Sequence, residues 1–181
     1  MRKFSGRDWY YDFKKVNVVF SEVSCERVAT RLLERYSKLT KAWSPERNSE
    51  WTCRFFIAAK LVMSSTLHVN AAYFAENKNL RVVVPYLRYY SVLSLLRAVC
   101  YTLPEHEWRD GQLIQISHTA AIRGALEHLR HFDKTVADFA KTDIHNLKAE
   151  RELISYRAPS SGDDHISEKN RYLSLCMLLA E

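Results

Sequence analysis

Between Tyr86 and Leu103 nearly every position is apolar or aromatic, and this run constrains the fold more than any other segment. A helix built from it has almost no face to offer water, so neighbouring elements must surround it. Within the stretch Tyr89–Cys100 one charge, Arg97, interrupts the run. A buried guanidinium requires a carboxylate, a phosphate or a set of carbonyls, because an unpaired one costs several kcal/mol, on the order of a domain's whole stability. The segment therefore reads as a central helix, and its cation as a place to look for function.

The surroundings of that helix are also predicted to be helical. The 181-residue chain has only four glycines and four prolines, few for a fold that turns often. Ser44-Pro45-Glu46 has a helix-start pattern: a serine cap, proline at the first helical position, and an acid in the first turn. The following residues Trp51, Phe55, Ala58, Val62, Ser65, Val69 and Ala72 recur at spacings of three and four, one continuous face reaching to about Glu76. The buried helix 86–103 ends at Pro104. A loop, 104–116, turns at Asp110-Gly111. Ser117 or Thr119 caps the next helix, expected to bury Ile122, Leu126, Leu129, Phe132, Val136 and Phe139. A shorter helix runs from about Asp143 to Tyr156, residues 157–164 form a linker, and a last helix covers 167–179.

Ahead of Ser44, residues 8–20 are dense in aromatic and β-branched types, which predicts one or two short strands. From about Ser24 the period becomes helical, with Val28, Leu32, Tyr36 and Leu39 on one face and basic residues on the others. The predicted architecture is all-α, an up-and-down bundle of four to five helices over 44–181 with a strand-plus-helix extension over 1–43.

The net charge of +6 favours a polyanion such as RNA or DNA. The basic residues are dispersed, which fits plain solubility charge as well, and both readings stay open. Cys25, Cys53, Cys100 and Cys176 are scattered without a CxxC pair, the pattern of neither a zinc site nor a disulfide framework. The opening Met1-Arg2-Lys3 leads into aromatic and charged residues, and no uncharged apolar run approaches the ~18 residues of a membrane span. A cytoplasmic protein without cofactor, metal or membrane contact is expected.

Several of these residues together resemble a known family. A long amphipathic helix leads into one that begins Tyr89-Tyr90 and carries the step Leu96-Arg97-Ala98. After a loop, Ser117-His118 stands at a helix start, and a late helix runs from Leu147 through Arg151 to Tyr156. This order resembles the HEPN superfamily of prokaryotic helical proteins, in the branch whose pattern runs YY…ARA…SH…LR…DY, over residues 46–157. The resemblance implies an antiparallel helical bundle, frequent homodimers, and roles in RNA cleavage, toxin–antitoxin pairs or antiphage defence.

The resemblance also implies where to look for chemistry. Active members use an arginine followed by four to six residues and a histidine; cation and imidazole together stabilise a phosphorane and handle the 2′-hydroxyl proton. At the expected place this chain has Arg151 and, five positions on, Tyr156 instead of histidine, as in branches not regarded as nucleases. Tyrosine with a pKa near 10 is a poor base at neutral pH but can hydrogen-bond phosphate. The catalytic candidates are thus Arg151, Tyr156 and His118, with Arg123 and His128 as an alternative pair of matching spacing one helix earlier. Arg97, His118 and Arg157 are the phosphate-binding candidates.

Two of these residues have a structural reading beside the functional one. His118 either joins Arg97 in an anion site at a helix N-terminus or only caps the helix. Arg97 either binds phosphate or pairs with Glu127, Glu150 or Glu152. His106-Glu107 is too sparse for a metal site, and Trp9, Tyr10 and Tyr11 suit base stacking or docking. The expected function is a defence or toxin–antitoxin-type protein acting through RNA or nucleotide binding, with metal-independent ribonuclease activity as an open question. The alternative is a non-catalytic interaction subunit docking on a partner enzyme encoded nearby. A homodimer and a nucleotide sensor built on Arg97 and His118 stay open.

Overall fold

The computed structural model describes residues 2–4, 7–9, 15–154 and 169–181. Two three-residue strands, β1 (Arg2–Phe4) and β2 (Arg7–Trp9), pair antiparallel. Everything else with regular structure among the described residues is helical: α1 (Lys15–Val19), α2 (Glu22–Thr40), α3 (Pro45–Asn77), α4 (Val84–Thr102), α5 (His118–Phe132), α6 (Lys134–Glu152), α7 (Lys169–Ala180) and two short 3-10 turns. The protein is all-α.

Helix α4 is the axis of the molecule, packed against α3, α5, α6 and α7. Val92, Leu93, Leu95, Leu96 and Cys100 are each at most 1% exposed, so its faces are enclosed as the apolar run requires. Pro85 falls in its first turn, where a missing N–H costs nothing. Leu103 is extended ahead of Pro104, which ends the helix.

The 33 residues of α3 make a rod about 50 Å long at 1.5 Å per residue. Ser44 caps it, its hydroxyl oxygen accepting from the Arg47 amide at 3.2 Å. Of the face read from the sequence, Trp51, Ala58, Ser65, Val69 and Ala72 are buried. Phe55 is half exposed, and Phe56, Met63, Leu67 and Phe74 form an outward apolar stripe at spacings of seven, four and seven. By length and composition, α3 and the segment Arg81–Thr102 each contain a window apolar enough to cross a membrane; 61% of the second window but only 22% of the first lies inside the fold.

Three expectations are corrected. The β-branched run Val16–Phe20 does not form a strand; α1 occupies it, because packing decides between propensities that differ by only about 1 kcal/mol. Val16 and Val19 lie against the core, and the Phe20 ring stacks on Phe132 with centroids 4.8 Å apart. The helix expected to run through Phe139 ends at Phe132. Asp133 is extended there and closes both neighbours: its amide donates to the Leu129 carbonyl, and its carboxylate accepts from the Val136 amide at 2.9 Å. Phe139 consequently faces out, 64% exposed. Finally, α6 begins at Lys134, nine residues before the expected Asp143.

Helix α2 begins with Ser21 as its cap and lies across the α4–α5 side of the bundle. The Arg27 guanidinium donates to the carbonyls of His131 and Phe132 at the α5 terminus. Tyr36 donates its hydroxyl proton to the Thr102 carbonyl and meets Trp51 edge-on. Val28 is 3% exposed, so this helix shares the core.

Candidate anion site

Helix α4 brings Tyr89, Tyr90 and Arg97 to one side, α5 brings His118 at its first turn, and α6 brings Arg151 near its end. The antiparallel arrangement of α5 and α6 sets the N-terminus of one beside the C-terminus of the other, which is why residues 118 and 151 meet. The Tyr89 hydroxyl and His118 Nδ1 share a hydrogen bond of 3.1 Å. The Arg151 guanidinium lies over the Tyr89 ring, 5.2 Å from its centroid, and Nη1 donates to the Tyr90 hydroxyl at 3.5 Å. The His118 ring meets Tyr90 edge-on at 5.9 Å.

Arg97 reaches the same place from below. Its Nη2 donates to the Ile116 carbonyl at 3.1 Å, one residue before the Ser117 cap, whose hydroxyl accepts from the Ala120 amide. Its Nε is buried and has no hydrogen-bond partner among the described residues. None of Glu127, Glu150 or Glu152 forms an ion pair with it, so the structural pairing weighed for Arg97 is not the one the fold makes. The first-turn amides of α5 add the positive end of a 15-residue helix.

The electrostatics of the group follow from burial among cations. The His118 imidazole is pushed below its ordinary pKa, first by burial and then by Arg97, Arg151 and Lys148, so it is neutral at pH 7. Burial raises the Tyr89 phenol, against the opposing pull of Arg151, and it keeps its proton. The direction of the Tyr89–His118 hydrogen bond follows the histidine tautomer: with the proton on Nδ1 the imidazole donates to the phenol oxygen, and Nε2 is left as the nitrogen that can accept a proton. His68 on α3 stands behind Tyr90 with ring centroids 6.5 Å apart; burial lowers its pKa, and its buried Nδ1 has no hydrogen-bond partner among the described residues.

Two guanidiniums, a neutral imidazole and two tyrosines converge on a helix N-terminus, the donor set that an anion with several oxygens would need, with Glu152 beside Arg151 at 3.6 Å. Both guanidiniums supply donors in fixed forks suited to phosphate. Among the described residues no group of three or more His, Cys, Asp or Glu is placed to hold a metal ion.

The fold thus brings Arg97, His118 and Arg151 together. Tyr156 and Arg157 lie outside the described residues. Arg123 and His128, the alternative pair, part company: five positions on a helix turn through about 140°, and the two side chains line different grooves. His128 is half-buried beside Phe132, its pKa pushed down to about 4 by burial and by His131, Arg35 and His106, the conduct of a residue at the edge of the core. His106 packs on Gly124, where a Cβ would stand 2.6 Å from its ring, and Arg54 donates to its carbonyl. It is part of the loop's anchorage.

Sequence reasoning overlooked Tyr89 and Tyr90 as site members, and His68 altogether. The tyrosines stood in the motif that drew attention to the segment; what identifies them as ligands to the site is their helical offset of seven to eight residues from Arg97, two turns along one face. The deepest cations were overlooked too. Arg88 is 3% exposed and paired with Glu76 at 2.9 Å; Arg54 is 2% exposed, paired with Glu50 and flanked by the rings of Trp51 and Trp108.

No family model, no curated protein and no solved structure matches this chain.

Proposed function

We infer that this chain is a HEPN-like helical protein of a bacterial antiphage-defence or toxin–antitoxin-type system, acting in the cytoplasm through RNA or nucleotide binding at the Arg97–His118–Arg151 site. One observation carries the reading: an arginine with a buried, unpartnered Nε shares a site with a second arginine and a neutral histidine at a helix N-terminus. A phosphodiester satisfies all of these at once. Its oxygens accept from both guanidiniums and from the amides of α5, and the imidazole stands ready to exchange a proton with a sugar hydroxyl.

The same inventory covers metal-independent endoribonuclease chemistry. Neutral His118 would take the 2′-hydroxyl proton, and Arg97 and Arg151 would hold the phosphorane charge. Binding is the part of the proposal on which the geometry bears. The test is an RNA oligonucleotide titrated into purified protein in EDTA, with bound fraction and cleavage products followed together. Binding should weaken at least tenfold in Arg97→Met and in Arg151→Met, with Arg151→Lys intermediate. Cleavage products that persist in EDTA and vanish in His118→Ala establish the nuclease. Wild-type affinity in both methionine variants would overturn the reading.

The second reading, a non-catalytic subunit docked on a partner enzyme, is favoured by the exposed stripe Phe56, Met63, Leu67 and Phe74 on α3. Co-purification with the product of a neighbouring gene, lost in Met63→Glu, tests it; a chain that elutes alone as a monomer counts against both that partner and a homodimer.

A further inference from the structure

A groove of about 410 Å³ separates α5 from α6, and its charge is one-sided. Arg123 and Arg130 line it from α5, and Lys141, His145 and Lys148 from α6; Glu152 is the one acid in its wall. Arg130 is also tied to Asp138 at 3.1 Å and Lys148 to Glu152 at 3.8 Å, so a net positive charge remains after both pairs are counted. Ile122, Leu126 and Ala149 make the floor apolar. Because α5 and α6 run antiparallel, Arg130 faces Lys141 near the Asp133 corner. Thr119 faces Glu152 at the other end, next to His118 and Arg151. From Arg130 to Thr119 is eleven residues of helix, about 16 Å.

The groove's Thr119 and Glu152 end adjoins His118 and Arg151 along the two helices, and Lys148 of its wall is close enough to lower the pKa of His118. Just beyond, Tyr86 lies against Tyr90 with ring centroids 4.4 Å apart and is 46% exposed, an open aromatic face.

We propose that this groove is the track for the sugar–phosphate backbone of a single strand of nucleic acid. A few nucleotides lie between α5 and α6, one phosphate is delivered to Arg97, His118 and Arg151, and the next base is placed on Tyr86. The inference rests on the anion site proposed above and gives its ligand a direction and a length. Charge alone would suit an acidic peptide equally well. The aromatic ledge at the groove's end selects against one, since stacking needs a planar base and a carboxylate chain has none. A duplex carries its phosphates on the outside of a cylinder far wider than a cleft between two touching helices, which leaves the single strand. Its affinity must depend steeply on salt, because each neutralised phosphate releases counterions and contributes about −0.7 to the slope of log K against log salt.

The test is fluorescence anisotropy of a labelled oligouridine 12-mer across a potassium chloride series, with the matching oligodeoxythymidine and polyglutamate as competitors. The charge-reversed protein Arg123→Glu/Lys141→Glu/Lys148→Glu should bind at least tenfold more weakly, with a slope shallower by about 2. Reversal of Lys38 and Lys41, exposed on α2 and beyond it, should leave affinity within twofold. Tyr86→Ala should lower oligouridine affinity about fivefold or more while leaving inorganic polyphosphate unchanged. Should the triple variant lose its helical circular dichroism, the single changes Arg123→Gln and Lys141→Gln carry the measurement, each expected to reduce the slope by about 0.7. An unchanged slope in the charge variants overturns the track, as does polyglutamate bound as tightly as oligouridine. If Arg97→Met abolishes binding while the groove variants bind normally, the site stands and the track falls. If the groove variants fail while Arg97→Met and Arg151→Met bind normally, the track stands and the site falls. A wild-type protein with no affinity for either strand overturns both.

Discussion

Arg54 and Arg88 on one hand, Arg97 and Arg151 on the other, are four guanidiniums of one helical core held in two different ways. The first two are the more deeply buried, and each meets a glutamate within 3 Å. Their rings of neighbours are tryptophan, tyrosine and loop carbonyls, which close every route to water. Arg97 donates to a backbone carbonyl, and Arg151 lies over the Tyr89 ring with Glu152 at 3.6 Å. The first arrangement fixes a cation by giving it a counter-charge inside the fold. The second holds its cations on a backbone carbonyl, on aromatic rings and, for Arg151, on the part-exposed Glu152 at 3.6 Å. Burial alone thus does not separate the two pairs; the nature of the partners does.

This contrast breaks most directly at Arg88. Replacing Arg88 by Met removes the buried counter-charge that Glu76 meets and should cost about 3–5 kcal/mol, a fall in Tm on the order of 10 °C in a thermal melt. A loss no larger than that of Arg97→Met would erase the distinction.

The histidines carry the same contrast. His128 has a pKa of about 4 in the fold against an ordinary 6.5, so between these values the unfolded chain binds the extra proton. Stability from this residue is full above pH 6.5 and declines as pH falls toward 4, by about 3 kcal/mol in all. Urea unfolding of His128→Leu across that range should show a correspondingly flatter profile, whereas a profile as steep as wild type would assign the acid loss elsewhere.

Smaller still is the expected stability change in Arg97→Met, within about 1 kcal/mol in the same melt, since no buried acid is orphaned. A loss of several kcal/mol would return Arg97 to the structural class. The smallest effect belongs to Glu107→Ala, which removes an exposed pair with Arg109 and should shift unfolding by less than about 0.5 kcal/mol.

Much of the scaffold is legible in the chain. Ser44-Pro45 announces α3, Ser117 announces α5, and the apolar run through Leu95 makes α4 the axis. These signals are local: caps and periodicity need no knowledge of the rest of the molecule. The failures have the opposite character. Val16–Phe20 folds as helix because Phe132, more than a hundred residues away, offers it a ring to stack on. Asp133 ends one helix and starts another, a role invisible when the eye follows Phe132, Val136 and Phe139 as one stripe. The site was half legible. Arg97, His118 and Arg151 could be named from the pattern, but the pairing of Arg88 with Glu76, which tells a structural cation from an available one, is a tertiary fact.

The corner at Asp133 has a consequence for how this protein can vary. One residue joins two helices and closes both, so the junction contains no slack to absorb a change in length. A single inserted or deleted residue there would rotate the whole of α6 by about 100° against its neighbour, swinging Lys141, Lys148 and Arg151 together out of alignment. Relatives of this chain should accordingly show almost no change of length at the corner.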